Sequence, residues 1–336
     1  MGSIRITMNG CMETDKPQIS ILMAIYEPRM DWLREQLLSL DAQTYPNLKL
    51  YIRDDCSPTV PYMDICACVQ ECIRKIPFEI VRNEENLGSN KTFERLTDEA
   101  DGAYFAYCDQ DDIWLPEKLA TLQKALDDSN AGLVCSDMYV IDENGKQTAN
   151  SITKVRRHHV FRSGSGLAKD LLVSNFVTGC TVLMPASIAR AAIPFCPYMV
   201  HDQYLALCAA QAGDLLSLPQ PLIRYRIHSS NQTLSMAGVG SKRDYIEKRV
   251  SILVQRLRWL LDFFPAMDQG LCADVSHALL WAEARVSNLN GHPRSKKTIW
   301  KYRRFGPLTS VFEIVMSSFP ESLFMFVVEL KRKNIL

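Results

Sequence analysis

Short apolar runs alternate with amphipathic stretches through the first 145 residues, and this alternation constrains the fold more than any other feature. The apolar runs have the length and composition of buried strands and cover residues 19–25, 48–52, 78–81, 104–107 and 133–139. Helical periodicity fills the intervals, first from Pro28 onward and then over residues 62–75, 89–100 and 116–127. Strands that alternate with helices predict an α/β fold with a Rossmann-like, mostly parallel central sheet flanked by helices.

The later sequence is less regular and then turns helical. Strand-like pieces occur at 180–184 and 222–225, and helical periodicity covers 245–264, 271–289 and the segment from Leu308. We therefore divide the chain into an N-terminal tail (1–17), an α/β domain (18–235, with halves 18–145 and 146–235) and a helical C-terminal region (236–336).

Charge is distributed unevenly although the formal net charge is zero. From Ser241 onward the chain has 16 Lys and Arg against 9 Asp and Glu. Such a basic region favours an anionic membrane surface or a phosphorylated lipid, although a solvated helical face explains the same charges. The segment 294–305 mixes six cations with aromatic residues, which suits lipid headgroups, and no motif indicates nucleic acid. The apolar C-terminal stretch is interrupted before it reaches the roughly 20 residues of a membrane span.

The cysteines indicate reduced thiols. Their number, 11, is odd, and the N-terminus lacks the apolar core of a secretory signal, so we expect a cytoplasmic protein. Cys66, Cys68 and Cys72 have the wrong spacing for zinc, and no histidine lies near them in sequence. They are interpreted as buried helix packing.

Three carboxylates lie within four positions directly after a predicted strand. Asp109, Asp111 and Asp112 would repel one another unless a cation relieved the repulsion. Carboxylate oxygens suit Mg²⁺ or Mn²⁺, which proteins usually hold with one or two carboxylates and substrate phosphates. A helix N-cap is the alternative, but capping needs one carboxylate and not three.

Three weaker features have ordinary explanations when each is considered alone. Asp54 and Asp55 also follow a strand and either make an Asx turn or bind a nucleotide base or ribose. Asp202, beside His201, is either a general base or a surface residue. His228 is either a metal ligand or a surface histidine.

Eight further segments follow one another over about residues 18–235: ISILMAIYEP, LREQLLSLDAQTYPNLKLYIRDDCSP, NEENLGSNKTFERL, GAYFAYCDQDDIWLPEKL, SDMYVIDENGK, NFVTGCTVLMP, HDQYLALCAAQAG and PLIRYRIHSSNQT. In this order they resemble the family 2 glycosyltransferases, more narrowly their bacterial rhamnosyltransferase-like branch. The resemblance implies a GT-A fold in which residues 18–145 bind the nucleotide sugar and residues 146–235 bind the acceptor. One departure is visible, since Ile25-Tyr26-Glu27 stands where the family usually has Thr-Tyr-Asn.

The resemblance also implies roles for individual residues. Asp202 matches the catalytic base. The metal, Mg²⁺ or Mn²⁺, is expected on Asp111, Asp109 and His228. Donor contacts are expected from Tyr26, Glu27, Asp54, Asp55, Asn86, Lys91, Asp109, Asp111 and Asp112. Acceptor contacts are expected from Trp114, Thr178, Gly179, Cys180 and His201.

The expected activity is an inverting sugar transfer. A dTDP-rhamnose or UDP-sugar donor would supply the sugar, and the acceptor would be a glycan or an undecaprenyl-diphosphate-linked glycan of bacterial surface polysaccharide (O-antigen or capsule). The protein would then work in the cytoplasm or peripherally on the inner face of the cell membrane. Two alternatives are a sugar-nucleotide nucleotidyltransferase, which usually has a Gly-rich loop that YEPRMDW lacks, and a non-catalytic glycan-binding module.

Overall fold

The computed structural model describes two compact units. It covers residues 16–156, 159–228, 238–264 and 266–332, with only the backbone of 6–8, 331 and 332. The first unit is the chain up to Leu167 with Asn175–Phe195 and Val200–His228. The second unit is Ala168–Ser174, Cys196–Met199 and the chain after His228. Two short central segments thus belong to the helical unit, which the sequence periodicity does not indicate; the boundary at 235 stays a prediction.

One mixed sheet of ten strands forms the centre of the first unit, counted over the described residues. Its strands are β1 (Ile6–Met8), β2 (Ile19–Ile25), β3 (Leu48–Asp54), β4 (Phe78–Arg82), β5 (Tyr104–Cys108), β6 (Ile113–Trp114), β7 (Leu133–Ile141), β8 (Gln147–Ala149), β9 (Val182–Pro185) and β10 (Leu215–Arg226). The order across the sheet is β1-β4-β3-β2-β5-β9-β7-β10-β6, with β8 attached to β7.

The expected parallel arrangement is confirmed for the first half of the sheet. β4, β3, β2 and β5 are parallel neighbours, and β7 and β10 form a second parallel pair. β9 lies antiparallel between β5 and β7, and β6 is antiparallel to β10, so the sheet as a whole is mixed. β2 is buried along almost its whole length, which explains its uninterrupted apolar sequence.

The helices of the chain follow the strands in alternation and then continue alone. They are α1 (Met30–Asp41), α2 (Tyr62–Cys72), α3 (Ser89–Glu99), α4 (Lys118–Ser129), α5 (Ala168–Leu171), α6 (Ala186–Ala191), α7 (His201–Ala212), α8 (Lys242–Tyr245), α9 (Ile252–Phe263), α10 (Gln269–Leu289), α11 (Lys296–Lys301), α12 (Pro307–Met316) and α13 (Glu321–Arg332).

All five strands and four helices expected before residue 145 are present. The bounds differ by a few residues; the second helix, for example, ends at Cys72 and not at 75. Cys66, Cys68 and Cys72 are buried in it, as expected. The short strand β6 and the helix α7 were not predicted, because β6 has two residues and α7 is buried on nearly every side, which removes its periodicity.

The second unit is helical in its described part, as expected, and the helical stretch predicted over 245–264 is confirmed as three consecutive segments. α8 begins earlier, a π-helical segment follows at Ile246–Ser251, and α9 completes the run. The apolar C-terminal segment forms two helices, α12 and α13, because Ser317–Pro320 interrupts it. Over the described residues, none of the helices is at once long and apolar enough to cross a membrane.

Candidate active site

The acidic turn Asp109–Asp112 lies at the carboxyl end of β5, beside the end of β2. Gln110 fixes it there, because its side-chain oxygen accepts a hydrogen bond from the Tyr26 amide (2.8 Å) and its amide donates to the Tyr26 carbonyl (3.0 Å). The Gln110 side chain therefore pairs with the backbone as a neighbouring strand would. Sequence reasoning missed this residue, although it stands inside the motif.

Arg226 holds the same turn from the end of β10. Its backbone amide donates to the Asp112 carboxylate (3.0 Å), and its Nε donates to the Asp111 carbonyl (2.9 Å). The guanidinium is buried and paired with Glu35. This residue was also missed, because the pairing of β6 with β10 that brings it here cannot be read from the sequence.

His228 follows β10 and meets Asp111. Its Nε2 lies 2.8 Å from the Asp111 carboxylate, and the two side chains are 9% and 18% exposed. The Trp32 ring packs on the imidazole with centroids 4.9 Å apart, and the Trp32 indole donates to the Glu143 carbonyl (3.1 Å). The histidine is therefore oriented by packing while its partner remains accessible to a ligand.

A second group of potential ligand atoms lies deeper. One ligand atom each of Asp109, Asp112 and Cys180 falls within 4.8 Å of the others. Burial, followed by the charge of Asp112, raises the pKa of Asp109 well above its usual range. Burial also raises the pKa of Asp112 to about 7 and that of the Cys180 thiol well above its ordinary value. Burial thus shifts all three groups toward their protonated forms.

Lys118 supplies the positive charge beside this buried group. Its side chain is fully buried, donates from Nζ to the Cys180 carbonyl (2.6 Å) and lies against the Trp114 ring. Burial lowers the pKa of Lys118 to about 7 despite the neighbouring acids. Nothing in its isolated sequence position indicated this role.

The two acidic groups differ in their suitability for a hard divalent cation. Asp111 and His228 offer a carboxylate oxygen and an imidazole nitrogen at an accessible position, a donor set that Mg²⁺ or Mn²⁺ accepts together with phosphate oxygens. The deeper group includes a protonated thiol and a nearby lysine, both unfavourable for such a cation. Asp111 and His228 therefore fit the expected metal better.

Asp202 lies in the first turn of α7. Its Oδ1 accepts from the Asn175 amide (3.0 Å) and the Gln203 backbone (2.6 Å), and its Oδ2 accepts from the Gly179 backbone (3.1 Å). Burial raises the pKa of Asp202 to about 6, and these hydrogen bonds oppose the rise. The charge of Asp202 contributes to the raised pKa of Asp109, after burial and the charges of Asp112 and Asp111.

The remaining acceptor-side residues are mostly internal in this structure. The His201 ring packs on Phe93 with centroids 4.1 Å apart, and burial lowers the pKa of His201 to about 3. A Cβ on Gly179 would come within 2.7 Å of the His201 ring nitrogen, so only glycine fits. Trp114 is also buried. The Thr178 carbonyl accepts from Thr181, which fixes the turn that contains Gly179.

Asp54 and Asp55, the two carboxylates expected to contact the nucleotide, each hold a loop by hydrogen bonds. Asp55 accepts from the Asn83 amide (2.7 Å) and from the backbone of Leu87 (2.9 Å) and Gly88 (2.8 Å), so it anchors the loop before α3. Asp54 is buried and accepts from the Ser57 hydroxyl (2.6 Å), which makes a turn, as the alternative interpretation expected.

Glu27 explains the departure from the family pattern. Its carboxylate accepts from the backbone of Thr59 (2.8 Å) and Val60 (3.3 Å) and from the Thr59 hydroxyl, which lowers its pKa. Glu27 has a φ of 47° and Cys56 a φ of 61°, so both loops carry a strained residue. The Tyr26 side chain is 45% exposed.

Asn86 and Lys91 border the same loop. The Asn86 side chain accepts from the Gly88 amide (3.1 Å), which tightens the turn before α3. Lys91 lies in the first turn of α3 with its side chain half exposed and paired with Glu94. Both expected donor-side residues are thus near the Asp55 anchor.

Comparison with known proteins places the chain in a family. The model of glycosyl transferase family 2 matches residues 20–190. The uncharacterized glycosyltransferase MJ1057 of Methanocaldococcus jannaschii is 33% identical over 134 residues, 40% of this chain and 46% of that protein. This chain thus matches about half the length of that relative. The dTDP-rhamnosyl transferase RfbG of Shigella flexneri is 25% identical over 68% of this chain and 77% of its own.

Solved structures show the same fold at low sequence identity. S. aureus TarS 1-349 in complex with UDP-GlcNAc matches with a TM-score of 0.56 and 15% identity, over 89% of this chain and 84% of that one. The mannosyltransferase PcManGT of Pyrobaculum calidifontis, in complex with GDP-Man and Mn²⁺, matches with a TM-score of 0.52 and 16% identity, over 89% and 78%. The chain belongs to glycosyl transferase family 2 and has the GT-A fold.

Proposed function

We propose that the protein transfers a sugar from a nucleoside diphosphate donor to an acceptor hydroxyl with inversion at the anomeric carbon. The observation that carries this proposal is Asp202, a carboxylate in the first turn of α7 that the Asn175 side chain and the Gly179 backbone hold by hydrogen bonds, and whose pKa is raised by burial to about 6. A base with such a pKa is ionised at neutral pH and still basic enough to take a proton.

Asp202 acts as the general base. The acceptor hydroxyl gives its proton to Asp202 while its oxygen forms a bond to the anomeric carbon. The bond from that carbon to the diphosphate oxygen breaks on the opposite face, and the diphosphate leaves with the electron pair. The amides of Asn175 and Gly179 hold the carboxylate in one orientation, which reduces the reorganisation needed for proton transfer.

The proposed metal residues are Asp111 and His228. Asp109, the third residue expected from the sequence, stays a prediction, because its raised pKa disfavours the ionised form that binds a cation. A bound Mg²⁺ or Mn²⁺ would neutralise the charge of the leaving diphosphate. The support is the 2.8 Å approach of Asp111 and His228 and the Mn²⁺ in the PcManGT complex. Asp112 accepts from the Arg226 backbone and so shapes the turn from within.

The proposed donor is dTDP-rhamnose or a UDP-sugar. RfbG is a dTDP-rhamnosyl transferase, and the TarS structure contains UDP-GlcNAc, which supports these two nucleotides. The half-exposed Tyr26 ring is available for the base, and the loops anchored by Glu27, Asp54 and Asp55 would line its site together with Asn86 and Lys91.

The proposed acceptor is a glycan, free or linked to undecaprenyl diphosphate, in bacterial surface polysaccharide synthesis at the inner face of the cell membrane. Thr178, Gly179 and Cys180 form the turn that donates to Asp202, and this turn would position the acceptor hydroxyl. The His201 ring, packed between Gly179 and Phe93, would support that turn, and Trp114 is buried in the core.

A donor panel tests the proposal. The full chain is incubated with Mn²⁺ and with dTDP-rhamnose, UDP-GlcNAc or UDP-glucose, with and without lipid-linked acceptors, and the released nucleotide is measured. We expect release of nucleoside diphosphate from one donor, dependent on the cation and absent in Asp202→Asn. NMR of the product would then show the inverted anomer. Pyrophosphate as the product, or a retained anomer, would contradict the proposal.

A further inference from the structure

Helix α12 has its polar residues on the buried side. The Ser310 hydroxyl accepts from the Trp281 indole (2.9 Å), and the Glu313 carboxylate accepts from the Arg285 guanidinium through two bonds of 2.7 Å. The Tyr245 hydroxyl donates to the same carboxylate (2.7 Å). Ser310 and Glu313 are fully buried. The interior of the second unit thus satisfies the polar side of this helix.

The outer side of α12 is apolar. Leu308, Val311 and Val315 follow the i, i+3, i+7 spacing of one helical stripe, and Leu308 is 85% exposed. Exposed apolar side chains continue after the helix and on α13, with Phe319, Leu323 and Phe326. We name these six residues the apolar stripe. α12 thus buries Ser310 and Glu313 together with Met316 and leaves three apolar side chains exposed, whereas a surface helix usually exposes its polar residues.

Basic residues adjoin the apolar stripe through α11. Lys297, Lys301 and Arg303 are exposed, and Trp300, half exposed, stacks under the Arg303 guanidinium at 4.4 Å. The Lys296 ammonium donates to the Ser318 hydroxyl (3.2 Å), which ties the start of α11 to the end of α12. Trp with Lys and Arg at the edge of an apolar surface is the composition of interfacial membrane helices.

The net charge around the apolar stripe favours a lipid bilayer over a second protein as the partner that covers it. Residues 294–330 contain six Lys and Arg against three Asp and Glu, and Glu313 is buried in its pairing with Arg285. A second copy of this chain would bring a second set of the same cations against the first, whereas an anionic bilayer would neutralise them. The Lys331 and Arg332 side chains and all of Lys333 lie outside the described residues and are not needed for this argument.

We propose that the apolar stripe and the cations Lys297, Lys301 and Arg303, on α11 and the turn after it, form a docking surface for an anionic phospholipid bilayer. α12 has ten residues and lies in the interface and does not span it. Leu308, Val311 and Val315 enter the headgroup and upper acyl region, and Lys297, Lys301 and Arg303 contact the lipid phosphates. This inference is independent of the transfer chemistry, because it needs only the second unit's own residues.

Vesicle flotation of the full chain tests the proposal. The vesicles contain phosphatidylcholine alone or with about 30 mol % phosphatidylglycerol. We expect at least about tenfold stronger binding to the anionic vesicles, weakened by about 0.5 M NaCl. The triple variant Leu308→Gln, Val311→Gln, Val315→Gln should lose at least about tenfold in binding, and so should Lys297→Gln, Lys301→Gln, Arg303→Gln.

Matched controls change exposed side chains elsewhere. Leu38→Gln, Met63→Gln and Leu280→Gln remove similar apolar exposure, and Lys75→Gln, Lys124→Gln and Arg243→Gln remove three other exposed cations. Both controls should bind as the wild type does. Thermal unfolding of every variant shows whether it folds, and an unfolded triple variant is replaced by its single changes.

Three outcomes would overturn the proposal. The first is equal binding of wild type and the folded apolar variant to anionic vesicles. The second is no binding of the wild type to either vesicle. The third is a wild-type dimer in sedimentation that the apolar variant converts to a monomer, because the stripe would then be covered by a second copy.

Discussion

The His228 imidazole lies 2.8 Å from the Asp111 carboxylate although 117 positions separate the two residues. Asp111 follows β5, and His228 follows β10. The contact depends on β6, which leaves the acidic turn and pairs with β10 through Ile223↔Trp114 and Arg224↔Ile113. The halves of the first unit are joined by β7 with β10 and by β9 with β5 and β7, and the two-residue strand β6 attaches the end of β10 beside the acidic turn.

Replacing the proposed base should stop transfer without removing the donor. We expect Asp202→Asn to lower kcat by about 10²- to 10⁴-fold, the usual contribution of a positioned general base. Nucleotide-sugar binding, measured by calorimetry, should change by less than about threefold, because Asp202 contacts the acceptor-side turn. Substantial turnover in this variant would show that another group takes the proton.

Activity should fall in acid. The pKa of Asp202 is raised to about 6, so below that pH the carboxyl is protonated and cannot accept the hydroxyl proton. We expect kcat/KM to decrease by about tenfold per pH unit below this value and to level off above it. A pH series with the donor held at low concentration checks this. An acidic limb near pH 4 would instead indicate an unperturbed carboxylate as the base.

Removing His228 should weaken the metal and leave the fold in place. We expect His228→Ala to raise the Mn²⁺ concentration required for half-maximal activity by about 10- to 100-fold, with a similar kcat at saturation. The control is His292→Ala, which removes an exposed histidine of the second unit. An unchanged Mn²⁺ requirement in His228→Ala would remove this residue from the metal site.

A methyl group at Gly179 should disturb the base through His201. The added Cβ would lie 2.7 Å from the His201 ring nitrogen and 3.4 Å from the Asp202 Cβ. Because the ring is packed on Phe93, it cannot move away freely, and we expect Gly179→Ala to lose about 1–3 kcal/mol of stability and much of its kcat.

The double variant Gly179→Ala, His201→Ala distinguishes this cause from others. Removal of the ring gives the methyl group room, so the double variant should recover activity relative to Gly179→Ala. A double variant as impaired as the sum of both single changes would show that the clash is not the reason.

Removing one partner of the buried ion pair in the second unit should lower the free energy of unfolding more than replacing both partners. Glu313 and Arg285 are 0% and 7% exposed and form two bonds of 2.7 Å. We expect Glu313→Gln to lower the free energy of unfolding by about 3–5 kcal/mol, because it leaves the guanidinium buried without its counter-charge. Glu313→Leu with Arg285→Met should lose much less, as measured by urea unfolding. An equal loss in both variants would contradict the assignment of the cost to the charge.

The deeper acidic group shows why a motif is not a complete description of a site. Asp109, Asp111 and Asp112 are equivalent as letters, but the fold separates them. Asp111 is accessible beside His228, while Asp112 is buried with its pKa at about 7 near Lys118 and Cys180. The proximity of ligand atoms alone selects Asp109, Asp112 and Cys180 as the metal site. The raised pKa values of that group count against it and favour Asp111 with His228.

The sequence by itself determined the strands and helices of the first half, the family and the position of the acidic turn. Those features are local, since apolar runs and periodic faces report the burial of a segment without regard to its neighbours. Apolar periodicity does not predict α7 for the same reason, because a helix buried on nearly all sides has no periodic face.

Only the tertiary structure decided which residues hold the site. Gln110 and Arg226 hold the acidic turn, and Lys118 donates to the Cys180 carbonyl, all through partners that are distant in sequence. The polarity of α12 could not be assigned to an inner or outer side before α10 packed against it. Long-range pairing fixes these roles, and a carboxylate's burial, protonation and partners follow from that pairing and not from its position in the chain.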